Sequence, residues 1–321
     1  MKTTLKEKAK KLPTTPGVYL MKDKQGSILY IGKAKKLNER VLSYFIKNKQ
    51  HSSKTIRLIH QINDFAIVEV DSELDALLLE CKLIQQYRPM YNRQMNAFNK
   101  YKYFEIRIKN ENISLHIRST PTKKNCFGPY SIHRKLSELK QILDELYSLN
   151  QNDYWHHSFS SNEKRLESTV IESELLNAFR VNNQQPQTRL KEQMIEAANN
   201  HSFEKAAVLL EKQQFLTRFF DRNQKLVLTN QAHWQLLWFP VGAKIKYYLL
   251  YQGFVLNSRL VTKRTVEKYS PKELADKLMP KKLPQEVACY SKDQVDFINI
   301  LYSYINRHKE CRLIDLDPFF N

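Results

Sequence analysis

Cysteine is scarce. Cys81, Cys126, Cys289 and Cys311 lie far apart, with no C-x-x-C or other ligand spacing among them. That excludes a disulfide framework and a thiolate-held metal cluster, and it predicts isolated reduced thiols in a cytoplasmic protein. Long apolar runs are missing as well: no stretch approaches the roughly 18 residues of a membrane span. The opening Met1-Lys2-Thr3-Thr4-Leu5-Lys6-Glu7-Lys8 has no apolar signal core, so a soluble chain with no membrane partner is expected. Acidic side chains are outnumbered, 33 Asp and Glu against 52 Lys and Arg, which leaves +19 on 321 residues. Such an excess points to a polyanionic partner, although a basic surface kept for solubility would give the same total. Residues 1–60 alone hold 15 basic and 3 acidic side chains, a net of +12. An anionic ligand is drawn there first.

Within that basic segment lie Gly17-Val18-Tyr19 and, eleven residues on, Tyr30-Ile31-Gly32 followed by Lys33. The intervening Leu20 to Leu29 reads as strand, polar turn ending in Gly26, strand. Cross-strand partners in an antiparallel hairpin have residue numbers of constant sum, and side chains alternate between faces. An even loop, Lys24-Gln25 or Asp23 to Gly26, predicts Tyr19 and Tyr30 as direct neighbours on one face.

Further along, the apolar spacing of Leu37, Val41, Leu42 and Phe45 predicts a helix over 35–46 that carries Arg40 away from its apolar stripe or at its edge. A second helix over 52–62 and a strand over 65–70 follow. Asp71-Ser72-Glu73-Leu74-Asp75 opens the next helix with an arrangement close to a capping box. Its body is apolar on nearly every side apart from Glu80. A carboxylate so placed stays charged only beside a cation or hydrogen-bond donors; the alternative is a helix-edge Glu80 paired with a lysine. Arg88-Pro89 ends that helix. Two strands over 101–119, a turn at Phe127-Gly128-Pro129-Tyr130 and a helix to about 149 come next. A polar stretch, 150–187, reads as a linker or irregular region in which Glu172 to Phe179 can form a short helix. Residues 188–220 read as an antiparallel helical hairpin with Ser202 as N-cap. Strands near 234–239, 245–251 and 254–261 and helices near 271–279 and 292–307 complete an α+β chain. The aromatic residues there, Trp234, Trp238, Tyr247, Tyr248 and Tyr251, can stack on unpaired bases or pack a core; packing is the better account.

Cutting a phosphodiester needs an activated water, a cation to spread charge on the phosphorane oxygens and help for the leaving alkoxide. Tyr19, Tyr30, Lys33, Arg40 and Glu80 supply each part. A tyrosine titrates near 10, so as a base it needs close cations to lower its pKa. Tyrosine pairs on hairpins otherwise serve packing.

The stretch Leu12-Pro13-x-x-Pro16-Gly17-Val18-Tyr19-Leu20, then Leu29 to Lys35, Leu37, Arg40-Val41, Ser43-Tyr44-Phe45, Ala76 to Glu80, Leu83-Ile84 and Pro89-x-Tyr91-Asn92 resembles the GIY-YIG nuclease domain of the UvrC excinuclease family. The hairpin, with Phe203, Glu204, Ala206 and Ala207, is similar to the UVR motif through which that family contacts UvrB. The resemblance implies a small mixed-sheet nuclease domain over 1–98 and a UVR-like hairpin over 188–222; the pattern itself adds a β-hairpin plus helix extension over 99–150, a linker or irregular region over 151–187 and a C-terminal α/β module of unknown role over 223–321. It implies incision of DNA on the 3′ side of a damaged nucleotide, with one divalent ion, Mg²⁺ or Mn²⁺, held at Glu80. Carried over by position, Tyr19 is the general base, Tyr30 a second phenol at the scissile phosphate, Lys33 an aid to deprotonation, and Arg40 and Asn92 the phosphate contacts. Lys35, Lys36 and Tyr44 are expected to touch DNA, and Phe203, Glu204 and Ala207 to touch UvrB.

Departures from the family narrow this. Residues 150–187 contain no cysteine, so the family's iron–sulfur cluster is not expected. The chain ends before there is room for the second nuclease and the helix-hairpin-helix module, a layout similar to the short Cho-type homologues, read here as monomers. Leu210-Glu211 stands where the hairpin usually has an Arg-Asp pair. Two rivals remain at this level: a sequence-specific GIY-YIG endonuclease of a mobile element or restriction system, and a DNA-binding adaptor without turnover.

Overall fold

A helix cannot run through Pro13 and Pro16, and the N-terminal one, α1 (Lys2–Lys10), stops before them; sequence periodicity did not announce it. The computed structural model describes residues 2–46, 51–110, 112–122, 124–149, 166–181, 183–231, 234–285 and 289–317. After α1 come β1 (Gly17–Lys22), β2 (Ile28–Ala34), α2 (Leu37–Leu42), α3 (Ser53–Gln61), β3 (Asp64–Glu69) and α4 (Glu73–Tyr87). Then follow β4 (Lys102–Lys109), β5 (Asn112–Arg118), β6 (Cys126–Tyr130), α5 (Leu136–Leu146), α6 (Ser168–Arg180), α7 (Gln185–Asn199) and α8 (Phe203–Gln231). The last elements are β7 (Trp234–Val241), β8 (Lys244–Tyr251), β9 (Phe254–Thr262), α9 (Lys263–Lys268), α10 (Pro271–Asp276), α11 (Gln294–Arg307) and β10 (Arg312–Asp315).

These elements gather into two units, one of 1–98 with 232–286 and 296–321, the other of 99–231 with 287–295. In the first unit β2-β1-β3 form one sheet and β10-β7-β8-β9 another. The expected mixed sheet is antiparallel throughout: β3 returns on the free side of β1 and pairs Tyr19 with Ile67. One face of this sheet, with Tyr19 and Met21, packs on Leu5, Leu37, Val41 and Tyr44. The other, with Val18, Leu20 and Ile31, packs on Ala76 and Ile84 of α4. The alternation of a two-sided sheet accounts for both layers. The C-terminal segment belongs to this same unit, and its sheet covers Leu74 of α4 with Leu237, Phe239, Tyr248 and Leu250.

The second unit holds the antiparallel sheet β5-β4-β6 and the helices α5 to α8 around one core. Phe127 to Tyr130, expected as a turn, are strand: Phe104 pairs with Phe127 and Lys102 with Tyr130 across a register shift. The pairing wins because Phe179 of α6 stacks on the rings of both Phe104 and Phe127, with centroids 5.1 and 4.9 Å away. Within the expected linker, Ser168–Arg180 is helical and buries Leu175 and Phe179, while 150–165 lie outside the described residues. The hairpin is longer than its pattern, since α8 runs 29 residues to Gln231.

Candidate active site

The turn between β1 and β2 sets the position of the two tyrosines. Asp23 Oδ1 accepts the N–H groups of Gln25 and Ser27 at 2.9 and 2.8 Å, and Gly26 takes φ +84°. The connection Asp23 to Ser27 is five residues long, and a bulge between Met21 and Lys22 absorbs the odd residue. Tyr19 therefore faces Gly32, and Tyr30 faces Met21. The expected direct pairing of the phenols is thus replaced by a diagonal one: both remain on one face, two residues out of register, with ring centroids 6.1 Å apart. Gly32 makes this possible. A Cβ there would stand 2.4 Å from Tyr19 Oη, so the ring lies where any other side chain would begin.

Tyr44, expected at the DNA surface, is instead the third member of this cluster. The short helix α2 ends at Leu42, before the expected limit, and the following turn delivers a buried Tyr44 whose Oη is 2.9 Å from Tyr19 Oη. Arg40 Nε donates to Tyr19 Oη at 3.3 Å, and its guanidinium lies 5.4 Å from the Tyr44 ring centroid. Tyr19 is completely buried, whereas Tyr30 is partly open. Burial, reinforced by Tyr44 and Tyr30, pushes the Tyr19 phenol well above 10 despite the opposing charge of Arg40. Burial, with Tyr44 and Glu80 beside it, raises Tyr30 to about 12. The cations present do not lower these phenols, contrary to what a ready-made phenolate base requires.

The outer edge of β2 brings in the remaining groups. Its unpaired backbone is satisfied by side chains and loop: Tyr91 N–H donates to Leu29 O at 3.1 Å, and Lys33 N–H donates to Glu80 Oε1 at 3.0 Å. Between them Asn92 plays the part of a strand residue. Its Nδ2 donates to Ile31 O at 2.8 Å and its Oδ1 accepts Ile31 N–H at 2.9 Å. Asn92 is therefore a buried clamp on the edge rather than a group offered to a phosphate.

Glu80 reaches this edge from α4, which is capped at its start by Ser72, whose side chain accepts the Asp75 N–H, and at its end by Arg88 in the left-handed conformation with φ 48°. Burial raises the Glu80 carboxyl above its usual range, opposed by the Lys33 N–H and by the charges of Lys33 and Arg40. Among the described residues Glu80 makes no ion pair, and no group of three His, Cys, Asp or Glu side chains gathers.

Lys33 itself departs from expectation. Pairing opposite Val18 sends its side chain to the face away from Tyr19, where Nζ donates to Glu73 Oε1 at 2.6 Å. The exposed Lys35 holds the other oxygen of Glu73 at 2.8 Å, and Lys36 pairs with Glu39. Glu73 was not foreseen as a site residue. Its signal was the seven-residue spacing to Glu80, which puts the two on one stripe of α4. In the other unit, Phe203, Glu204 and Ala207 are exposed together at the start of α8.

A family model described as the UvrC-like GIY-YIG domain matches residues 15–93. Among solved structures, the GIY-YIG N-terminal endonuclease domain of UvrC from Thermotoga maritima, bound to its catalytic divalent cation magnesium, is 40% identical over 29% of this chain and 100% of that one, with a TM-score of 0.27. A tyrosine-to-phenylalanine and an asparagine-to-alanine point mutant of that domain, each bound to its catalytic divalent cation, are 38% identical over the same shares with the same TM-score.

Proposed function

Since residues 15–93 form a UvrC-like GIY-YIG domain, we propose that this protein is a divalent-metal-dependent DNA endonuclease that makes the 3′ incision near a lesion in nucleotide excision repair. The observation that carries the reading is the convergence of three phenols, the Arg40 guanidinium and the Glu80 carboxylate around one edge and one face of a single sheet.

The donor set fits a magnesium-like ion. Glu80 spends one oxygen on the Lys33 N–H and has no cation in contact among the described residues. A single carboxylate suffices for an ion that keeps several waters and takes its other ligands from substrate phosphate. Bound there, the ion supplies Lewis-acid stabilisation of the phosphorane charge and the positive field that lowers the proton affinity of nearby phenols. Tyr30, partly open and close enough to feel the charge of Glu80, presents its hydroxyl to the scissile phosphate. Tyr19 is the general base: its phenol first loses its own proton to solvent, and the resulting phenolate, steadied by the Tyr44 hydroxyl and by Arg40, takes one proton from the attacking water. Arg40 steadies the phosphate charge from the exposed side, and Lys35 and Lys36 hold the flanking strand. The exposed Phe203, Glu204 and Ala207 form the surface that docks UvrB, which presents the damaged DNA.

The test is a lesion-bearing duplex with Mg²⁺, incubated with and without UvrA and UvrB, comparing the chain with Glu80→Ala. A single 3′ incision that needs UvrB and vanishes in Glu80→Ala is the expected outcome. Cutting at one fixed undamaged sequence without the Uvr proteins would instead make it a sequence-specific endonuclease. Binding without cutting by the unaltered chain would make it an adaptor.

A further inference from the structure

Strand β8 alternates between two buried faces. Tyr247 and Leu249 face Leu274 and Leu278, whereas Lys246, Tyr248 and Leu250 face α4 and α11. Two of the latter are polar and almost wholly covered, Lys246 at 5% exposure and Tyr248 at 0%. Both go to the start of α4. Lys246 Nζ lies 2.6 Å from Asp71 Oδ2 and 3.3 Å from Asp75 Oδ2. Tyr248 Oη lies 2.7 Å from the N-cap hydroxyl of Ser72 and donates to Asp75 Oδ1 at 3.2 Å. Ser72 Oγ in turn accepts the Asp75 N–H at 3.0 Å. The first turn of α4 is therefore held by its own cap and by two side chains some 175 residues away.

A buried lysine is a poor way to gain stability. Desolvation offsets most of the attraction, and apolar replacements of such pairs are often neutral or stabilising. What a charge bonded to two aspartates does supply is a fixed register of the helix end. That register matters because α4 carries Glu73, which holds Lys33 and Lys35, and, seven residues on, Glu80, which meets the β2 edge. The same segment also brings His308 Nε2 to 4.0 Å from Glu73 Oε2.

Resting on the reading of Glu80 as the ion-holding residue, we propose that the C-terminal segment is a built-in brace of the nuclease site, with Lys246 and Tyr248 as positioning residues that fix α4 and thereby the placement of Glu73 and Glu80.

The experiment uses the full chain with Tyr248→Phe, which keeps the buried ring, and Lys246→Met. Three quantities are read: thermal unfolding, hydrogen exchange of peptides covering 72–87, and the incision rate at saturating DNA against its KM. Both variants should unfold cooperatively, with Lys246→Met below the original Tm, because removing the cation alone leaves Asp75 without its ion-pair partner. Exchange over 73–80 should accelerate about tenfold, as expected for the loss of hydrogen bonds that hold a helix end. The incision rate should fall about tenfold with KM for DNA unchanged. Normal exchange in both folded variants would overturn the proposal, and so would faster exchange with unchanged incision. If the unaltered chain does not cut at all, the nuclease reading fails, while the exchange of 73–80 still decides whether the brace exists. Should one variant lose cooperative unfolding, the other carries the comparison.

Discussion

Glu80 is a residue whose chemistry and stability pull in opposite directions. Its carboxyl is raised above the ordinary range because burial disfavours the charged form. A group with a raised folded pKa contributes most to stability below its unfolded value, near 4.5, and that contribution is lost as pH rises through the folded pKa. Above its folded pKa the ionised Glu80 therefore weakens the fold. Glu80→Gln keeps an oxygen for the Lys33 N–H and removes the charge. The expected result is a Tm raised by about 2–4 °C at pH 7, with the gain shrinking as pH falls toward 4.5, and no Mg²⁺-dependent incision. Calorimetry from pH 4 to 8 checks it; a variant destabilised at pH 7 would mean that Glu80 is held by its neighbours in the charged form. The phenols follow the same sign at the alkaline end. Tyr30, at about 12, favours the fold below pH 10 and loses that contribution as pH rises toward 12.

The edge of β2 is the element on which the site is assembled, and it shows where sequence reading succeeds and where it stops. Alternation and a polar turn were enough to place the tyrosines on one hairpin face, and the lone carboxylate in an apolar helix singled out Glu80. Their register was not legible, because it depends on Asp23 capping two N–H groups and on a bulge after Met21. Nor was the clamp formed by Asn92, an amide side chain standing in for a missing strand 61 residues away. The hold of Tyr248 on Ser72 spans 176 residues, and no local pattern announces it. Removing the clamp tests the element. Asn92→Ala leaves the N–H and C=O of Ile31 unpaired beside a buried core, which costs about 2 kcal/mol. A lower urea midpoint at unchanged m, with a loss of incision, is the expected outcome; full stability would show that water replaces the amide without penalty.

At the scale of the whole molecule, charge decides how DNA arrives. The first 60 residues carry +12 of the chain's +19, so attraction is concentrated beside the tyrosine cluster. Of the lysines expected to hold the strand, Lys35 shares Glu73 with Lys33, and Lys36 pairs with Glu39 in a pair more than half exposed on both sides. Surface pairs of this kind are worth about 1 kcal/mol or less, so a phosphate can displace the carboxylates. Each lysine that takes up a phosphate releases counterions from the duplex and adds about 0.9 to the slope of log affinity against log salt. A Lys35→Ala, Lys36→Ala double variant titrated with a short duplex between about 50 and 200 mM salt should bind more weakly, with a slope shallower by about 2. If affinity falls but the slope does not, these lysines shape the loop and DNA approaches the phenols from another side, with Arg40 as its first contact.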